Sequence, residues 1–127
     1  MKTLHHLCME AAFFRLDEIA ELPMAPGVTG RPIFGRGAMV NVATLGPRAI
    51  VSDHSHPHEQ IGLVLEGTME LTVDGVSQEL GPMDGVVIPG GVVHSARGGP
   101  DGAVMLDVFQ PVREDYRERW TELSSTR

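Results

Sequence analysis

Apolar and polar residues alternate along most of this chain in short runs that stop at Gly, Pro or Asp-Gly, the pattern of strands with one face in a core. The first convincing run is Gly37 to Leu45 (GAMVNVATL), closed by Gly46-Pro47, and Arg48 to Ser52 begins a second. Ile61 to Leu65 and Thr68 to Val73 predict two more strands, joined at Glu66-Gly67. Asp74-Gly75, between TMELTV and VSQEL, predicts a tight hairpin, because both central residues of such a turn adopt positive φ. Gly81-Pro82 and Asp84-Gly85 bracket a further turn before Val86 to Ile88. Pro89-Gly90-Gly91 then turns the chain again, Val92 to Ala96 carries His94, and AVMLDVFQ forms a last strand from Ala103 to Gln110. About eight short strands with a turn signal at each break predict an all-β sandwich or barrel rather than alternating βαβ units.

The flanks are less regular. Residues 10 to 22 fit either a short amphipathic helix or a strand and turn. The stretch from Pro23 to Gly37 (PMAPGVTGRPIFGRG) predicts a connector with at most a short edge strand at Arg31 to Phe34. After Pro111, REDYRERWTEL carries its acids early and Trp120 and Leu123 late, which predicts a short C-terminal helix with a structural role, Arg113 excepted. The chain therefore divides into an N-terminal arm and connector (1–36), a β-barrel (37–112) and a helical tail (113–127).

Composition narrows the class. A chain of 127 residues fits one domain able to bury roughly two-thirds of its unfolded surface. Ten Lys plus Arg against 17 Asp plus Glu give a net charge of −7, with the basic residues spread along the chain, which argues against a nucleic-acid partner. Cys8 is the only cysteine, so no intrachain disulfide forms and nothing marks an oxidising compartment. The opening MKTLHHLCMEAAFF is interrupted by His5, His6 and Glu10 and shows no small-residue cleavage site, so it reads as part of a mature, cytoplasmic protein. No apolar run approaches the roughly 18 residues that span a bilayer.

The chemistry concentrates in SDHSHPHEQIGLVLEG. Residues two apart on a strand share a face, so His54 and His56 can point together into a barrel, where imidazoles bind Zn, Fe, Ni, Cu or Mn. Pro57 breaks the alternation and leaves both Glu59 and Gln60 as the next inward ligand; His94 supplies a distant one. Asp107 interrupts an apolar strand on the face it shares with Ala103, Met105 and Phe109, so its carboxylate is either coupled to chemistry or bonded to a neighbouring turn. Arg113 offers a planar fork for a substrate carboxylate, or a surface ion pair with Glu114 or Asp115. Met39, Met69, Met83 and Met105, on or beside strands, read as core packing or as the wall of an apolar cavity.

These residues carry a resemblance. His54, His56, Gln60 and Gly67 resemble the cupin pattern H-x-H-x3-E-x6-G, and Pro89, Gly91 and His94 resemble the cupin P-x-G-x2-H, which implies a double-stranded β-helix or jelly-roll barrel around one divalent transition metal (Zn, Ni, Fe or Mn). The chain departs from the family at Arg48 and Met83, where cupins often have glycine, at Gly98, where Asn is frequent, and at Gln60, where a neutral amide replaces a carboxylate and sharpens the ion as a Lewis acid. HSHPHEQ together with VFQPVREDY is similar to the KdgF family, small cupins that open the ring of 4,5-unsaturated uronates. That resemblance implies a ligand set of His54, His56, Gln60 and His94, with Asp107, Phe109 and Arg113 lining the site. The expected activity is a non-redox ring opening or isomerisation of a small carboxylate-bearing substrate, with Asp107 moving a proton and Arg113 anchoring the acid. The alternatives are a polyketide cyclase or dehydratase, suggested by the REDY tail, a metal-dependent oxygenase, and a ligand-binding barrel without catalysis. A homodimer is expected, with the Pro/Gly-rich arm able to cover a neighbour's sheet edge.

Overall fold

The computed structural model describes residues 10–125; Cys8, His5 and His6 lie outside them. Eight strands precede one helix: β1 (Leu22–Ala25), β2 (Val28–Phe34), β3 (Met39–Leu45), β4 (Ile50–His54), β5 (Glu59–Val73), β6 (Val76–Leu80), β7 (Gly85–Ile88), β8 (His94–Gln110) and α1 (Glu114–Ser125). All pairings are antiparallel. No helix among the described residues is long and apolar enough to cross a membrane.

The architecture follows from two long strands that each serve two sheets. The N-terminal half of β5 and the C-terminal half of β8 join β1, β2, β3 and β7 in one layer; their other halves pair with β6 and β4 in a second. The chain bends from layer to layer at irregularities in the β5·β8 ladder next to Gly67 and Gly102, which adopt φ of 73° and 77°. A Cβ built on either glycine would strike backbone, that of Gly67 meeting the carbonyl of Gly102. Here the structure corrects the strand count. Glu66-Gly67 and the glycines before Ala103 bend the chain but do not reverse it, so four expected strands are two.

The segment from Pro23 to Gly37 is also more regular than a connector. It completes β1 and supplies all of β2, which pairs with β3 from Val28↔Leu45 to Phe34↔Met39 and alternates buried and half-buried residues throughout. Pro32 is tolerated because β1 covers β2 only as far as Gly30, so a missing N–H beyond that point costs no ladder bond on the outer edge. Residues 10–22 hold a short 3-10 turn at Leu16–Glu18 before β1 begins, not an amphipathic helix.

Three turns place a residue other than glycine at positive φ. The Asp74-Gly75 hairpin forms as expected, with φ of 50° and 79°. Arg48 and Met83, however, hold φ of 58° and 72° without being glycine. Both turns keep the left-handed residue and bear its steric cost. Because Arg48 sits in that turn, β4 starts at Ile50, two residues later than the apolar pattern suggested.

The core is in two parts. Between the layers lie Val28, Leu45, Val64, Met69, Leu71 and Met105 with their neighbours. At one end, α1 seats Tyr116 and Trp120 against Leu22, Phe34, Met39 and Phe109. Trp120 Nε1–H donates to the Ala20 carbonyl at 2.9 Å, and its ring meets Phe34 edge-on at 5.8 Å. The helix thereby caps the barrel end where Arg113 enters.

Candidate metal centre and active site

Three elements bring the histidines together. His54 ends β4, His94 begins β8 directly opposite it, and His56 follows in the loop that the Pro-Gly-Gly turn closes through Gly91 N–H to the His56 carbonyl at 2.8 Å. A Cβ at Gly90 would strike the Pro57 backbone, which is why glycine stands there. Ring centroids of His54 and His94 are 4.2 Å apart and those of His56 and His94 5.0 Å. One nitrogen from each of the three lies within 4.8 Å of the others, a cluster that could hold a metal ion.

Each ring is oriented by backbone. Nδ1–H donates to the carbonyl of Ser52 from His54 (2.8 Å), of His58 from His56 (3.1 Å) and of Val92 from His94 (2.9 Å). A carbonyl only accepts, so the proton sits on Nδ1 and each Nε2 keeps its lone pair for the cluster. His94 Nε2 is buried without any partner. His56 Nε2 faces Gln60 Oε1 at 3.0 Å, acceptor against acceptor once its other nitrogen holds the single proton. A second proton is excluded near neutral pH: burial, with help from the Arg113 charge, lowers the His56 pKa to about 4. Burial likewise holds His94 below its usual range. Orphaned and opposed lone pairs around one point are what a divalent cation would satisfy, so the donor set fits one.

Gln60 is the hinge of the arrangement. It is buried while Glu59 is exposed, so of the two candidates it is the amide that faces inward. Its Nε2–H donates to Asp107 Oδ1 at 3.0 Å, which turns Oε1 toward His56. Asp107, 7% exposed, is bonded to this amide and not to a turn, on the face shared with Met105 and Phe109. Burial pushes its carboxyl up to about 7, against the lowering effects of Gln60 and Arg113.

Arg113 forms the ion pair expected of it. It is 8% exposed, yet its Nε and Nη2 fork onto Asp115 at 3.0 and 2.8 Å; Glu114 pairs instead with Arg117. The guanidinium lies 3.9 Å over the Tyr116 ring and 5.2 Å from Phe109. Its Nη1 is buried without a partner. Phe109 packs edge-on against His56 at 5.5 Å. Phe109, Arg113 and Tyr116 border a cavity of about 70 Å³ between the layers, walled also by His54, Gln60, His94 and Asp107 at one end and by Met24, Met69 and Met105 farther in. Of the four methionines noted in the sequence, Met39 packs in the end cluster and Met83 is 67% exposed on its turn.

Sequence reading missed Tyr116 as the platform under Arg113, and Asn41, which is fully buried with Oδ1 unpartnered and lies across the ladder from Asp107. The signal for Asn41 was present: it is the one polar residue at the inward parity of Met39, Ala43 and Leu45. Gly62, Asp107's neighbour on the other side, was missed too; a Cβ there would run into Met105 and lie 3.0 Å from Asp107 Oδ1.

Comparison with known proteins agrees with this geometry. Residues 41–109, more than half of the chain, match the cupin domain. The dimethylsulfoniopropionate lyase DddW of Ruegeria pomeroyi is 31% identical over 75 residues, covering 59% of this chain and 49% of that protein. The pectin degradation protein KdgF of Dickeya dadantii is 30% identical over 69 residues, covering 54% of this chain and 63% of that one. The chain thus matches only about half to two-thirds of the length of these relatives. Among solved structures, KdgF from Halomonas superposes with a TM-score of 0.77 at 27% identity over 83% of this chain and 97% of that one. An RmlC-like cupin from Shewanella frigidimarina superposes with a TM-score of 0.78 at 28% identity, covering 84% and 96%. With two spaced histidine blocks on one barrel and a domain match across both, the chain belongs to the cupin family and is similar to KdgF.

Proposed function

We propose that this protein is a metal-dependent enzyme that moves a proton on a small carboxylate-bearing substrate, with ring opening of a 4,5-unsaturated uronate as the first activity to test. The observation that carries this reading is the position of Gln60, which touches the histidine cluster through Oε1 and the Asp107 carboxyl through Nε2. His54, His56, His94 and Gln60 would hold the ion, which when bound supplies Lewis acidity toward a substrate oxygen. Arg113 Nη1, buried and unpaired, binds the substrate's acid group; Asp115 and Tyr116 hold the guanidinium in place. Asp107 can hold a proton near neutrality and give or take it beside the bound substrate. Phe109 keeps water from the inner side of His56. The similarity to KdgF supports the uronate as first candidate.

Metal analysis of protein purified without chelator is expected to give near-stoichiometric divalent metal, lost in Gln60→Ala and His94→Ala. An unsaturated monouronate should then lose its ultraviolet absorbance faster with the wild type and not with Asp107→Ala. Equal rates for wild type and Asp107→Ala would remove Asp107 from the mechanism. Metal absent and not recoverable with Zn, Ni, Mn or Fe would favour a ligand-binding role.

A cyclase or dehydratase of aromatic polyketides is the second reading, favoured by Met24, Met69 and Met105 in the cavity wall. It ranks second because the similarity to KdgF supports the uronate. An oxygenase with a carboxylate ligand loses support because Glu59 points outward.

For assembly, we propose a two-fold dimer through the outer face of the larger layer. Val40, Val108, Ile61 and Val87 form one apolar row across four strands there, a row that a two-fold axis would set against its own copy.

A further inference from the structure

We infer that the Tyr116 hydroxyl is a second donor to the acid group that Arg113 binds, so that the site takes a carboxylate by one oxygen on Arg113 Nη1 and by the other on the phenol. The inference rests on the carboxylate reading of Arg113 and deepens it.

Arg113 stands just before α1 and Tyr116 in its first turn, three residues on, so the two side chains lie on one side of the helix end. The guanidinium stacks 3.9 Å from the centre of the phenol ring. Phe109 meets the same ring edge-on at 5.8 Å and 89°, so the ring is held from two directions. Arg113 and Tyr116 both line the cavity that Gln60, Asp107 and His94 also wall. Nε and Nη2 of Arg113 are spent on Asp115, which leaves Nη1, buried and unpaired. A carboxylate has two oxygens, and Nη1 alone leaves the second without a donor.

The phenol is the free donor beside it. Tyr116 is only 9% exposed, yet its hydroxyl has no hydrogen-bond partner among the described residues. Stacking under Arg113 and packing against Phe109 use only the ring, so phenylalanine would serve both equally well. A hydroxyl on a largely buried side chain is a cost unless a polar group comes to meet it. Burial raises the phenol above its usual range, against the lowering effect of Arg113, so it keeps its proton at neutral pH and donates. The Asp107 charge adds to that rise, as expected of an oxygen facing the same cavity.

The test titrates purified, metal-containing protein calorimetrically with D-galacturonate, which lacks the 4,5 double bond, and with its neutral methyl ester. Wild type, Tyr116→Phe and Arg113→Met are compared. The wild type is expected to prefer the acid. Tyr116→Phe should weaken the acid roughly tenfold to a hundredfold, the worth of a hydrogen bond to a charged group, and the ester far less, since its oxygens carry no charge. Equal weakening of acid and ester would mean that the phenol supports the fold and not the acid, and would overturn the inference. An acid preference unchanged by Tyr116→Phe but cut by Arg113→Met would overturn it too, leaving the Arg113 anchor in place. An acid preference that survives both substitutions, or a wild type that binds the two probes equally or not at all, would remove the carboxylate reading of Arg113 and this inference with it.

Discussion

Replacing Asp107 with Asn tests the buried carboxyl directly. In the folded, metal-free protein the carboxyl titrates at about 7, chiefly because burial disfavours its charge, against an ordinary 3.8 for an unfolded chain. The folded state therefore binds more protons between those values, so this group's contribution to stability is lost progressively as pH rises through them and is constant above. A separation of roughly three pH units at 1.36 kcal/mol each gives a full effect of about 4 kcal/mol, of which about 3 kcal/mol falls between pH 4.5 and pH 8. The substituted amide would keep an acceptor for the Gln60 N–H and cannot ionise. Urea unfolding of chelator-treated wild type and Asp107→Asn, measured across that range, should show the variant gaining on the wild type by about 3 kcal/mol as pH rises, then a constant gap. Groups common to both proteins drop out of the difference between the two curves. Parallel stability curves would mean that the carboxyl is hydrated and titrates normally, and the argument for Asp107 as a proton carrier near neutrality would fail. Saturation with a divalent ion should narrow the gap, since a cation beside Gln60 favours the charged carboxylate.

Three other outcomes are expected. Met83→Gly and Arg48→Gly relieve left-handed strain of about 1–2 kcal/mol while adding chain entropy of about 0.5–1 kcal/mol, so each should raise the thermal midpoint slightly; a fall would show that the side chains make compensating contacts. Gly62→Ala places a methyl against Met105 and Asp107 and should cost about 1–3 kcal/mol in denaturant unfolding, whereas a neutral result would mean the strand shifts freely there. Sedimentation at micromolar concentration should give a dimer mass that Val108→Lys converts to monomer; a monomeric wild type would refute the proposed sheet-face assembly.

Much of the site was legible because its residues break local rules. Three histidines within five positions, an Asp inside AVMLDVF and a Pro-Gly-Gly before His94 are each out of place unless chemistry uses them. Asn41 broke the same rule in GAMVNVATL and went unread, because an amide is less conspicuous than a carboxylate. Tyr116 looked like a helix residue, and only the packing of α1 across the barrel end turned its ring under Arg113.

Strand parity, the Asp-Gly turn and the histidine spacing settled the all-β class, the hairpin and the metal-ligand candidates, since these depend on local periods of two residues and on φ preferences. Whether a glycine reverses a strand or merely bends it depends on what lies across the ladder. Gly67 pairs with Ala103 and lies against the Gly102 carbonyl, so β5 and β8 run on and join the two layers. The choice of Gln60 over Glu59 was likewise tertiary: Pro57 erased the parity, and the amide faces inward in the structure, where Asp107, forty-seven residues away in sequence, accepts its N–H.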